Sequence, residues 1–115
     1  MKIKVRDSQH RVGATLHHHV ERRLRFALDR FSRQISAVKV QLSDLNGPRG
    51  GVDQCCRVEV SLVAGGRLIV EEAQSYLYTA INRAADRASR AVARRLSRQL
   101  RIRKHSLTWD SLGWQ

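Results

Sequence analysis

Residues 56–72 read CRVEVSLVAGGRLIVEE. Cys56, Val58, Val60 and Leu62 alternate with Arg57, Glu59 and Ser61. That two-residue period belongs to a strand with one dry face and one wet face. Gly65-Gly66 follows, and strand character resumes at Arg67 through Leu68, Ile69 and Val70 to Glu72. A Gly-Gly pair between two such runs predicts a hairpin, because the tight turn needs positive φ. A hairpin with one apolar face is not stable alone, so the flanking sequence must supply more strands and a cover.

Upstream, residues 36–44 also alternate, with Val38, Val40 and Leu42 pointing one way, and read as another strand. The stretch between the two strands, NGPRGG at 46–51, holds the only proline and reads as a loop. From 14 to 31 the apolar period changes to that of a helix, with Leu16, Val20, Leu24, Ala27, Leu28 and Phe31 on one face. Residues 2–6 alternate again as a short first strand beside one of the others, and 7–13 read as a polar loop. Downstream, a long helix is expected from about Gln74 to about Ile102. Leu77, Ile81, Ala84, Ala85, Ala88, Val92 and Leu96 make its dry face. The predicted architecture is therefore α+β: a two-layer β-α-β-β-β-α sandwich, with a four-stranded sheet and two helices on one face.

The 115 residues fit one domain with one modest core. Residues 1–104 are expected to form it, and 105–115 to be a flexible C-terminal tail. At 42% apolar residues the chain is not a disordered polycation. No apolar run approaches the roughly 18 residues that span a bilayer, and the opening MKIKVRDSQH lacks the apolar core of a secretory signal. A cytoplasmic location is expected. The adjacent Cys55 and Cys56 point to opposite faces of a strand, which predicts one packed thiol and one near the surface, with no disulfide.

The net charge of +12 is unevenly spread. Residues 1–35 carry nine basic and three acidic side chains, and 83–104 carry nine and one. The stretch between them, 36–82, is close to neutral. On the last helix, Arg83, Arg87, Arg90, Arg94, Arg98 and Arg101 recur at steps of three or four, opposite the dry face. Like charges at that spacing repel by a few tenths of a kcal/mol per pair, and only Asp86 compensates within 83–104. A guanidinium grips phosphate with two hydrogen bonds and stacks on bases. The stripe therefore points to a polyanion, with nucleic acid ahead of a membrane surface. Arg22, Arg25 and Arg33 lie away from the core face of the first helix, with Arg23 and Arg30 on its flank. Phe26, also on the outer side, either stacks on a base or packs at a seam, and the sequence leaves both open. Arg87, Arg90 and Arg94 are expected to tolerate reversal to glutamate without loss of fold.

Other chemistries find little footing. His17, His18 and His19 fan across about 200° of a helix and do not converge on one ion. No Ser/His/Asp grouping or carboxylate pair is in context, and the 47–51 loop lacks the Lys-Ser/Thr ending of a phosphate loop. An Ala-rich dry face suits packing on a sheet better than lipid insertion. No enzyme activity, cofactor, metal or small-molecule substrate is expected, nor any membrane partner.

Four segments carry a family resemblance: VGATLHHHVERRLRFALDRF at 12–31, AVKVQLS at 37–43, VSLVAGG at 60–66 and YLYTAINRAADRA at 76–88. Together they resemble the ribosome hibernation promoting factor family, which includes the ribosome-associated inhibitor A (protein Y) and sigma-54 modulation proteins. Tyr78, Ala80, Ile81 and Asp86 fit the stretch that opens the family's second helix, whereas Asn82 stands where an aspartate is usual. The resemblance implies a fold similar to double-stranded RNA-binding domains. It also implies a seat on the small ribosomal subunit, in the channel of mRNA and tRNA, with the basic helical surface against 16S rRNA. Arg22, Arg25, Arg83, Arg87, Arg90, Arg94, Arg98 and Arg101 would be the rRNA-binding residues. Translation would be inhibited by exclusion, as in ribosome dormancy under stress. The second, dimerising domain of long members is expected to be absent and the protein to be a monomer. A regulatory RNA- or protein-binding module acting away from ribosomes, such as a sigma-factor modulator, is the alternative.

Overall fold

The computed structural model describes residues 1–7, 13–44 and 54–111, with 101–111 described as helical backbone. Of the expected loop at 7–13, Asp7 instead closes the first strand and is buried, and Gly13 directly precedes the first helix; positions 8–12, the expected loop at 46–51 and the last four positions, 112–115, lie outside the described residues. Strand β1 (Lys2–Asp7) leads to helix α1 (Ala14–Leu28), which tightens into a 3-10 turn at Asp29–Phe31. Strands β2 (Ile35–Asp44), β3 (Gln54–Leu62) and β4 (Arg67–Gln74) follow, then helix α2 (Leu77–Ser111). The sheet order is β1-β2-β3-β4. The last three strands form an antiparallel meander that includes the expected hairpin, and β1 pairs with β2 in parallel, from Lys2↔Ala37 to Asp7↔Leu42.

The periodicities correspond to real faces. Val38, Val40, Leu42, Cys56, Val58, Val60 and Leu62 are buried beneath Leu16, Val20, Leu24 and Leu28 of α1 and Ala80, Ile81, Ala84, Ala85, Ala88 and Val92 of α2. Ile35 joins them because a bulge between Ile35 and Ala37 shifts the register. One extra residue there brings two odd-spaced side chains to the same face, which strict alternation forbids. At the hairpin tip, Gly65 and Gly66 have φ of 102° and 92°, the left-handed values the turn requires. Leu62 N–H donates to Gly66 O, and Gly65 N–H donates to Leu62 O, closing the turn.

Helix α2 departs from expectation at both ends. It begins at Leu77, because β4 continues to Gln74, and its backbone runs past Ile102 to Ser111. Its dry stripe ends near the hairpin tip, where the Arg95 guanidinium lies over Gly66. Beyond that point Leu96 is partly buried and Leu100 is exposed. No helix among the described residues is long and apolar enough to cross a membrane.

Both cysteines are free and both are buried, so neither is the expected near-surface thiol. Cys55 points to the sheet face opposite Cys56, but it lies in register between Ser43 and Ala73 and hydrogen-bonds Ser43. Burial, with the Glu71 charge behind it, raises the Cys55 pKa. Burial pushes the Cys56 thiol up to about 12. A thiol held protonated is a poor nucleophile. Cys56 is therefore expected to resist alkylation at pH 8 in the native protein and to react fully in denaturant. Rapid native labelling of Cys56, read by peptide mass, would contradict its packing.

Candidate nucleic-acid interface

The two helices lie side by side on one face of the sheet. His19 reaches Asn82 and Arg23 reaches Asp86, both across 63 residues. Two rungs four residues apart with the same offset require the helices to run parallel and nearly in step. His19 Nε2 is 3.2 Å from Asn82 Oδ1, a contact that needs the ring proton on Nε2. The same imidazole meets the Tyr78 ring edge-on, with centroids 4.6 Å apart. Arg23 Nη2 donates to Asp86 Oδ1 at 2.5 Å. The only acidic residue of the stretch 83–104 thus faces α1 and does not screen the outer stripe.

Arg83, Arg87, Arg90, Arg94 and Arg98 are all exposed, as are Arg22 and Arg25. The backbone places Arg101 on α2, and its side chain lies outside the description. The sequence treats these arginines as equivalent, and the structure divides them. Arg22, Arg83, Arg90, Arg94 and Arg98 make no ion pair among the described residues. Arg25 donates from Nε and Nη2 to Glu21 Oε1, both at 3.1 Å, within the same helix. Glu21 also holds His17 at 3.3 Å, so part of the first helix's charge is answered locally.

Arg87 is tied to the sheet. Its Nη1 donates to Glu72 Oε2 at 2.8 Å and to the Glu71 carbonyl. The hydrogen bond from Arg87 holds the Glu72 carboxyl below its ordinary pKa against the opposing effect of burial, aided by Gln74 and by the Arg87 and Arg83 charges. Reversal at Arg87 therefore carries a cost to the fold that reversal at Arg90 or Arg94 does not, since a glutamate there would face Glu72. Replacing Arg87 with Ala is expected to cost about 0.5–1 kcal/mol near pH 7, the scale of a partly exposed pair. A carboxylate with a lowered folded pKa stabilises above its unfolded value, about 4.3, and that contribution fades as pH falls through the folded pKa. The gap between wild type and Arg87→Ala in urea midpoints should therefore close between pH 5 and pH 3. A gap independent of pH would contradict the pairing.

Between the helices runs a groove with two depressions of about 760 and 780 Å³. Phe26 and Arg23 line both, Arg90 borders the first, and Arg22 borders the second. Phe26 is 81% exposed, which removes the seam-packing reading within this chain. Its ring centroid lies 5.9 Å from the Arg23 guanidinium carbon. The histidines diverge as the helical fan requires: His17 to Glu21, His19 to Asn82, and His18 to the second depression. No group of three or more His, Cys, Asp or Glu suited to a metal occurs among the described residues.

The fold is thus a two-layer α+β sandwich whose arginines gather where the helices face outward. The chain belongs to the sigma 54 modulation protein / S30EA ribosomal protein family, whose model matches residues 3–106. The resemblance read from its four segments is thereby borne out. A search of curated proteins gives no significant match. Among solved structures, the Thermus thermophilus Protein Y N-terminal domain is similar at 29% identity and a TM-score of 0.68. That match covers 82% of this chain and 98% of that one. A ribosomal subunit interface protein from Coxiella burnetii shares the fold at 12% identity and a TM-score of 0.70, covering 84% of this chain and 99% of that one.

Proposed function

We propose that the protein binds the small ribosomal subunit through its helix layer and inhibits translation by occupying the channel of mRNA and tRNA. The observation that carries this reading is the set of exposed guanidiniums at Arg83, Arg90, Arg94 and Arg98 that have no ion pair among the described residues, joined on the outer side by Arg22. A folded rRNA surface offers the phosphates that would neutralise them. Family membership supports the ribosome as the location of that RNA, in the cytoplasm, and dormancy as the outcome. The binding unit is 1–104, acting as a monomer. Arg25, Arg87 and Arg101 complete the surface, the first two after exchanging or sharing their carboxylate partners. Phe26 offers an aromatic face to an unstacked base in the groove. The mechanism is occupancy, with no covalent step and no cofactor.

Sedimentation of the protein with isolated subunits tests this. At low salt it is expected in the small-subunit fraction, and it should leave steeply as salt rises, because phosphate contacts release counterions. Migration with the large subunit alone, or indifference to salt, would overturn the proposal.

A further inference from the structure

Among the described residues the helices cover one face of the sheet and leave the other bare. On that bare face Lys2, Lys4 and Arg6 of β1 are exposed, and so is Lys39 of β2. The parallel register sets Lys4 directly beside Lys39 and Arg6 beside Gln41, which in turn neighbours Arg57. None of Lys2, Lys4, Arg6 and Lys39 makes an ion pair among the described residues. The nearest carboxylates are engaged elsewhere: Glu59, in register with Lys39, accepts from Arg67 at 2.8 Å, and Glu71 lies 3.7 Å from Arg57. The β1–β2 half of the face is therefore cationic, and the β3–β4 half is internally paired.

Lysines on an edge strand guard against unwanted strand pairing, and that would account for Lys2 and Lys4 on β1. It does not account for Lys39. Strand β2 is interior, paired on both sides, and needs no such guard. Placing Lys39 opposite Lys4 sets like charges side by side, a cost that Glu59 on the other side of Lys39 offsets only in part because Arg67 already holds it. Same-face side chains recur about every 6.6 Å along a strand, with the next strand about 4.8 Å away. That grid is comparable with the step between neighbouring phosphates of a nucleic-acid strand. Lys4, Arg6, Lys39, Gln41 and Arg57 also border a depression of about 380 Å³, together with Glu59, whose carboxylate is held by Arg67.

We infer that the bare sheet face is a second RNA-backbone site, so that one protein molecule holds two RNA segments, one on each side of the slab. The choice of RNA as the polyanion rests on the function proposed above; the second site rests on the sheet register alone. The two sites differ in kind. The helix layer presents planar, bidentate guanidiniums, and the sheet face presents mainly ammonium point charges. The sheet face is therefore expected to be the weaker partner.

A bridging assay tests this with a short RNA duplex on beads, a second fluorescent duplex in solution, and the full chain. The wild type is expected to capture the fluorescent duplex. Lys4→Gln/Arg6→Gln/Lys39→Gln is expected to bind the immobilised duplex within about threefold of wild type while capturing at least tenfold less of the second. Its salt slope for capture should fall by about three, one per lost phosphate contact. Lys39→Gln alone, with an unchanged melting curve, should show a smaller loss of the same kind. Capture by the triple variant equal to wild type, no capture by wild type, or preference of this face for polyglutamate over RNA would each overturn the inference. The proposed function fails separately, if Arg90→Glu/Arg94→Glu binds the immobilised duplex as wild type does.

Discussion

Reversing Arg90, Arg94 and Arg98 together to glutamate is expected to weaken small-subunit binding by more than about a thousandfold. Each is exposed and without an ion pair among the described residues, so its replacement leaves no buried partner behind. Hydrogen bonds to charged groups contribute about 1.5–3 kcal/mol each, and three of them lost together exceed a factor of a thousand. Residual binding should also show a salt dependence shallower by about three in log–log slope. The circular dichroism spectrum and melting temperature should stay near wild type, since the three positions are exposed and the substitution exchanges one set of like-charge i,i+4 neighbours for another while giving Arg87 and Arg101 unlike neighbours at i,i+3. Arg87 is left intact by design, because its tie to Glu72 mixes stability with binding. A folded triple variant that still sediments with the small subunit at wild-type affinity would remove the helix layer from the account.

The largest effect on stability is expected from Leu24→Ala. Leu24 is 1% exposed in the core between α1 and the sheet. Truncating a fully enclosed leucine removes its transfer free energy and leaves a void, together about 2–5 kcal/mol. For a domain with about 5–15 kcal/mol in total, that is a large share. Urea unfolding should show a lower midpoint with an unchanged slope. Leu100→Ala is the control: this leucine is 54% exposed on α2 beyond the hairpin tip, and its change should stay within about 0.5 kcal/mol. Equal effects at the two positions would mean that the core is not where α1 meets the sheet.

The fold was legible because each element has a distinct apolar period. Strands β2 and β3 alternate cleanly, and the α2 stripe of alanines from Ala80 to Ala88 announces a helix lying close to a sheet. What alternation cannot register is an insertion, so Ile35 escaped notice until the bulge returned it to the core. The partner of β1 was also hidden, because parallel pairing leaves no short turn between the strands to read.

The arginine stripe was visible for the same reason as the core, since three- and four-residue steps hold a face. Its division into free and engaged members was not. Yet Glu72 carried a signal: alternation places it on the same side of β4 as Leu68 and Val70, under the helices, where a carboxylate needs a cation. The pairing of Arg23 with Asp86 depends on how the helices align, which neither helix encodes alone. The sheet-face lysines lay furthest from view, because Lys4 and Lys39 are separated by the whole of α1 and meet only through the β1–β2 register.

The meander and α2 are joined by short connections or close packing, and the β1–α1 segment closes onto them from outside. If this segment peels away, it takes Lys2, Lys4 and Arg6 from one surface, and Arg22 and Arg23 from the other, in a single event. The opposite sides of the slab are thus mechanically yoked: whatever clamps one of them quiets fraying at both.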